Sequence, residues 1–228
     1  MWRSLLDLLF PSYCLVCKTE GSYLCELCQL NVRHSLASRC DLLPLEKQDN
    51  SYLTVPIYSC TLYDFDSDWV QIIKRYKYKF SRELDAFLAA QLYSILFSHH
   101  LALLKEPATA VFIPVPIAYL RKNWRGFNQS ELLAKRLSKL THIGVWHGIK
   151  RCKGTSAQAY LGGKQRRTNL ENAFRVVEKL PTNVHTIIFV DDVVTTGSTL
   201  KAVINTMRQK DPNRNYMGIC LASRLVFS

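Results

Sequence analysis

IIFVDDVVTTGST, residues Ile187 to Thr199, passes from apolar to acidic to hydroxyl-bearing side chains. Ile187, Ile188, Phe189 and Val190 form an uninterrupted hydrophobic run, the pattern of a strand buried on both faces. The run ends at two adjacent carboxylates, Asp191 and Asp192. After Val193 and Val194 come Thr195, Thr196, Gly197, Ser198 and Thr199. The amphipathic segment LKAVINTMRQ, beginning at Leu200, predicts a helix. Strand, acid pair, hydroxyl-and-glycine turn and helix follow in that order.

A glycine lets the backbone approach an anion closely, and the unbonded N–H groups of a helix start point at it. Threonine and serine hydroxyls add donors, so the turn suits a phosphate. The two acids would repel that phosphate. They suit a pair of vicinal hydroxyls, or the neighbourhood of a divalent cation. A phosphate with a diol beside it is a ribose 5-phosphate. The plainer alternative is a strand-to-helix turn with ordinary Asp and Thr caps, and the doubled acid at fixed spacing argues against it. The stretch resembles the phosphoribosyl-pyrophosphate (PRPP) motif of type I phosphoribosyltransferases. In that family the acids hold the ribose hydroxyls and the turn holds the 5-phosphate. No Gly-Lys-Ser/Thr follows, so this is not a Walker loop.

Outward from this stretch, buried strands are predicted at Ala110–Ile113 and Tyr216–Leu221, another strand at Ile57–Tyr63, and a short one at Ala173–Val177 returning to the sheet. Helices are predicted from Trp69, over Leu84–Phe97, and from Asn128 or Ser130 to about Leu140. Alternation of strands and helices predicts an α/β fold with an open, mostly parallel sheet. Pro114, Val115 and Pro116 just past a strand make a rigid turn where a ligand pocket would open. Residues 41–53 are polar and contain Pro44, which reads as a linker. Lys74–Lys79 interleaves bases with aromatics, as a single-strand nucleic-acid surface does, but also as the polar end of a core helix does.

Toward the N-terminus, Trp2, Leu5, Leu6, Leu9 and Phe10 have helical spacing, and Pro11 ends that run. Next come Cys14-x-x-Cys17 and Cys25-x-x-Cys28. Two such knuckles can deliver four thiolates to one structural Zn²⁺, replacing a core that so short a segment cannot build. A redox dithiol or plain buried cysteines are the alternatives. The division expected is a helix and four-cysteine zinc module over 1–40, a linker over 41–56 and the α/β domain over 57–228.

The chain has 228 residues and a formal net charge of +12. Between 132 and 170 there is no acid, while Lys135, Arg136, Lys139, Lys150, Arg151, Lys153, Lys164, Arg166 and Arg167 all occur there. Such a field favours polyanions: nucleic acid, pyrophosphate or both. The segment Arg151–Asn169, polar with three glycines, reads as either disordered or a lid. No apolar run approaches a membrane span. MWRSLLDLLF carries Asp7 and lacks a small-residue cleavage site, so the expectation is a cytoplasmic protein with thiols rather than disulfides. A peripheral position at the inner face of the membrane is compatible with the apolar N-terminal stripe.

Taken over nearly its whole length, the sequence resembles the ComF family, which joins a cysteine-rich zinc module to a type I phosphoribosyltransferase domain. The residues that carry the resemblance are the LLDLLFP start and the CxxC pairs, then Ile113–Pro116, Arg125-Gly-Phe-Asn-Gln129, Arg151 through Gln158, Leu161, Arg166, Asn169, Ala173-Phe174 and VDDVVTTGST. Lys153 and Cys152 stand where the family has Arg and Thr, and only Cys40 remains of a second cysteine cluster. The resemblance implies that Asp191, Asp192 and Thr195 to Thr199 bind PRPP, with Pro114, Val115 and Pro116 on its pyrophosphate side. It places Arg151, Lys153 and Arg166 in a catalytic lid near the leaving group. It implies a role in natural competence, handling incoming single-stranded DNA beside a helicase or other DNA-uptake machinery. The alternative it leaves open is an active phosphoribosyltransferase using Mg²⁺ with PRPP on a nucleobase or other acceptor.

Overall fold

The computed structural model describes residues 11–46, 52–64, 67–78, 82–117, 124, 126–152 and 173–225. In chain order the elements are α1 (Glu26–Ser35), β1 (Arg39–Glu46), β2 (Tyr52–Ser59), α2 (Asp68–Tyr78), α3 (Arg82–His99) and α4 (Leu101–Lys105). There follow β3 (Ala110–Pro114), α5 (Gln129–Thr141), β4 (Gly144–Val145), β5 (Ile149–Arg151), β6 (Phe174–Val176), β7 (Thr186–Val194), α6 (Ser198–Arg208) and β8 (Asn215–Ser223).

Six strands form one sheet in the order β1-β2-β8-β7-β3-β4, parallel throughout except for the antiparallel edge pair β1–β2. The hydrophobic run of β7 lies between β3 and β8, and Ile187, Ile188, Phe189 and Val190 are all fully buried. Its alternate side chains feed two cores, as the pleat requires. Ile188 and Val190 join the layer of α2, α3 and α5 through residues such as Ile73, Leu88 and Leu133. Ile187 and Phe189 join Leu200, Val203, Ile204 and Met207 of α6 on the other face. Helices on both faces of a largely parallel sheet make this a doubly wound α/β fold.

Three expectations need correction. The segment read as a linker, 41–56, is largely β1 and the first part of β2, paired from Arg39↔Ser59 to Glu46↔Tyr52. Leu43 and Leu45 alternate into the α6-side core while Leu42 faces out. Pro44 is tolerated because β1 is the edge strand, where one row of N–H groups has no ladder to join. Pro56 lies just before the β2–β8 ladder, which begins at Ile57↔Gly218. Secondly, β6 does not return to the main sheet: it pairs with β5 in a separate two-stranded ribbon. Thirdly, β7 does not end at the acid pair. It runs to Val194 because β8 stays beside it through Val194↔Ser223.

The N-terminal helix expected over 2–10, most of the basic lid (Lys153, Lys164, Arg166 and Arg167 included) and Arg125 lie outside the described residues. Trp69 starts its helix as expected and donates from Nε1 to the Leu221 carbonyl at 2.9 Å, tying α2 to the sheet. Within the described part of Lys74–Lys79, Tyr76 is fully buried, so its ring belongs to the core and not to a stacking surface. Among the described residues no helix is long and apolar enough to cross a membrane.

Candidate functional site

The chain leaves β3 toward β4 on one side and leaves β7 toward β8 on the other. The carboxyl ends of β3 and β7 therefore flank the point where strand order reverses, the place where open α/β sheets bind ligands. Pairing on the β3 side stops at Pro114↔Val190, with one further bond from the Val115 amide to the Val190 carbonyl at 3.0 Å. Asp191 and Asp192 come next. Asp191 pairs with Cys220 of β8, and among the described residues neither acid has a strand partner on the β3 side.

The carboxylates are fixed by their neighbours. Asp191 Oδ1 accepts from Ser130 Oγ at 3.0 Å and from the Asp192 amide at 2.9 Å. Asp192 Oδ1 accepts from the Val193 amide at 2.6 Å and lies 3.5 Å from Lys77 Nζ. Among the described residues, Oδ2 of each takes no hydrogen bond, which leaves one acceptor oxygen per acid for a ligand. Burial, and then the charge of Asp192, push the Asp191 carboxyl up to about 7; the Asp192 amide, Ser130 and Lys77 pull the other way.

Below the acids, the turn of Thr195 to Thr199 leads into α6. Gly197 adopts φ 70°, which glycine alone takes without strain, and a Cβ there would meet Leu43 Cδ1 at 2.5 Å. As the cap residue of α6 Gly197 offers no side-chain acceptor; the Ser198 amide makes a long bond of 3.4 Å to Thr196 Oγ1, and the helix start still faces the site with its dipole. The hydroxyls of Thr196 and Ser198 bond each other at 2.9 Å beside it.

Asn128, Gln129 and Ser130 close the site from the opposite side, each bonding a different element. Asn128 Nδ2 donates to the Val115 carbonyl at 3.1 Å, holding the Pro114–Pro116 turn, and its Oδ1 caps α5 by accepting from the Ser130 amide. Gln129 Nε2 donates to the Lys77 carbonyl at 2.8 Å, and Ser130 reaches Asp191. The sequence places Asn128 and Ser130 at a helix start, with Asn128 also in the Arg125–Gln129 motif, and gives Lys77 no place at the acids. The polar run Asn128–Ser130 at that helix start is the available signal.

Of the three lid residues expected to be catalytic (Arg151, Lys153 and Arg166), Arg151 is the one described. It ends β5 with its guanidinium over the Phe174 ring, 5.4 Å from the centroid. Two clefts of about 320 and 330 Å³, one lined by His99, His100 and Met217 and the other by Val55, Arg208 and Arg214, open at the amino ends of the strands. They are on the opposite edge of the sheet from the acids, and strand topology is the better guide to the chemistry here.

The second constellation is the cysteine cluster. The Sγ atoms of Cys14, Cys17, Cys25 and Cys28 all lie within 4.8 Å of one another, and none is in a disulfide. Cys17 Sγ and Cys25 Sγ are 3.6 Å apart, close to the roughly 3.8 Å edge of a tetrahedron built on Zn–S bonds of about 2.3 Å. The first knuckle is shaped by backbone bonds Lys18 N–H to the Cys14 carbonyl and Cys14 N–H to the Thr19 carbonyl, with Lys18 at φ 66°. The second pair straddles the start of α1, where Cys25 is the cap residue. Hydrogen bonds from Thr19 pull the Cys17 thiol down to about 6, while burial and the neighbouring sulfurs push Cys28 up to about 12. Four thiols so placed can hold one metal ion and close its coordination shell. Cys14, Leu24, Cys28 and Val32 share a core with Trp69 and Leu88, so the module is packed onto the α/β domain.

No family model matches the chain. It is 38% identical over 141 residues to Competence protein F of Haemophilus influenzae, covering 60% of this chain and 61% of that protein. It is 37% identical over 131 residues to DNA utilization protein YhgH of Escherichia coli O157:H7, covering 55% of each. A longer alignment, 24% identical over 219 residues, relates it to Competence protein ComFC of Bacillus subtilis, with 92% of this chain and 83% of that protein covered. The matched stretch thus spans less than two thirds of the first two relatives. The structure defines an α/β protein with an open, mostly parallel sheet and a four-cysteine cluster that fits a metal-binding module. The chain is similar to proteins named Competence protein F, DNA utilization protein YhgH and Competence protein ComFC.

Proposed function

We propose that this protein serves natural competence, handling incoming single-stranded DNA in the cytoplasm, and that it binds PRPP or a related phosphoribosyl ligand in the crevice between β3 and β7. One observation carries the ligand assignment: two carboxylates whose Oδ2 atoms take no hydrogen bond among the described residues stand just past the last β3–β7 pair, and a hydroxyl-rich helix start without a side-chain acceptor at its cap residue follows. A sugar diol would lie on the acids and its 5-phosphate on the amides and hydroxyls of Thr195 to Thr199, with the Pro114–Pro116 turn on the pyrophosphate side. Support for the cellular role comes from the relatives, which are named for competence and DNA utilization. The four cysteines fit one structural zinc ion, since four protein ligands leave no open position for catalysis.

An active Mg²⁺-dependent phosphoribosyltransferase would use the same crevice. The feature favouring turnover is Asp191, a part-buried carboxyl that desolvation and the charge of Asp192 push up to about 7. A deletion strain complemented with wild-type protein or with the Asp191→Ala, Asp192→Ala double variant tests the proposal. Transformation should be restored by the first and not by the second. Restoration by both would separate the crevice from the cellular role. Pyrophosphate release that depends on an added nucleobase would establish the transferase instead of a pure binder.

A further inference from the structure

Lys77 lies at a junction of three elements. Its ammonium is 3.5 Å from Asp192 Oδ1, and the two side chains are only 23% and 14% exposed, well short of an ordinary surface pair. The end of α2 that carries it is held on several sides. Gln129 at the start of α5 donates to the Lys77 carbonyl. The buried Tyr76 hydroxyl donates to Asp85 Oδ1 of α3 at 3.1 Å, and Arg136 of α5 pairs with Asp85 Oδ2. At the far end of the helix, Trp69 is bonded to β8. A lysine kept only for solubility needs none of this.

Electrostatics gives the arrangement a purpose. Two carboxylates alone would oppose the approach of a phosphorylated sugar, whereas a fixed cation beside them offsets one of the two charges. The groups facing Asp191 are Asp192, Lys77 and Ser130, together with the buried Cys220 thiol, its register partner on β8. Asp85 and Arg136 stand one layer further out around Tyr76. Lys77 is thus the nearest cation to the pair among the described residues.

We propose that Lys77 is a positioning residue of the acid-pair site, holding Asp192 in place and supplying the positive charge that lets two carboxylates receive an anionic diol. This rests on the crevice being a sugar-phosphate site, and it extends that assignment to a residue on α2, remote from every motif that suggested it.

The test is titration of PRPP into wild-type protein, Lys77→Met, Lys77→Arg and Asp191→Asn, each checked for unchanged circular dichroism and zinc content, at pH 7 and pH 9. Lys77→Met should bind about tenfold more weakly at pH 7. Raising the pH should widen that loss, because Asp191 then ionises beside Asp192 with no ammonium to offset either charge. Lys77→Arg should bind within about threefold of wild type, since it restores the charge. A purely structural role would lose affinity equally at both pH values and would not be rescued by arginine, and that result overturns the proposal. Wild-type affinity in Lys77→Met, with binding lost in Asp191→Asn, would overturn it while leaving the crevice assignment intact. Absence of PRPP binding by the wild type would overturn both.

Discussion

The cysteine cluster and the acid-pair crevice are built in opposite ways. In the cluster, Cys14 to Cys28 are supplied by one short segment whose geometry comes from two knuckles and a helix start. Its few core residues, Leu24 and Val32 among them, lean on the larger domain. In the crevice the acids follow the buried run of β7, just past its last pair with β3, and their partners Ser130 and Lys77 come from remote helices. If the cluster holds its metal, one region takes its shape from that ion, whereas the other takes its shape from the sheet.

That contrast can be broken at several points. Cys25→Ser should have the largest effect: loss of one thiolate from a four-thiolate site should remove the zinc and melt the module. Metal analysis should show zinc well below one per chain, and retention of a full equivalent would mean that another donor set holds it. Asp191→Ala with Asp192→Ala should abolish PRPP binding while the melting temperature stays within a few degrees, measured by calorimetry and thermal denaturation.

Gly197→Ala should lie between these extremes. It places a methyl into Leu43 and forces a left-handed φ on alanine, for a cost of about 1–3 kcal/mol, and should also weaken PRPP by disturbing the turn. Destabilisation without loss of affinity would detach the turn from the ligand.

A smaller, pH-dependent effect comes from Asp191. Its carboxyl titrates at about 7 in the fold against an ordinary 3.8. The folded state therefore holds its proton longer than the unfolded chain, and this group lowers stability as pH rises from about 4 to about 7, with no further change above. Asp191→Asn should flatten that part of the urea-denaturation profile against pH. An unchanged slope would assign it to other groups.

The smallest signal should be the salt dependence of single-strand DNA binding. In α5, Lys135 is paired with Glu131 at 2.7 Å and Arg136 with Asp85, so the basic field there is weaker than its lysine and arginine content suggests. A modest negative slope of log affinity against log salt is expected, and a slope of zero would leave those charges without a polyanion role.

Local chemistry was legible in the sequence wherever it was contiguous. The CxxC pairs predicted a cluster that the structure assembles, and IIFV predicted the central strand. What escaped was set by tertiary pairing. Asp41, Pro44 and Glu46 make β1 look like a linker, because an edge strand tolerates proline and charge that a central strand would not. Val193 and Val194 remain in β7 only because β8 continues beside them. Ser130 and Lys77 carried no spacing signal toward the acids, since their distance in sequence is closed by the packing of α2 and α5 on the sheet.

The most direct measurement is a crystal structure with PRPP and Mg²⁺ soaked in. The ribose hydroxyls should lie within hydrogen-bonding distance of the Asp191 and Asp192 carboxylates, with the 5-phosphate on the amides of the turn before α6. Density for PRPP at the His99 or Arg208 cleft, with the crevice between β3 and β7 unfilled, would contradict it.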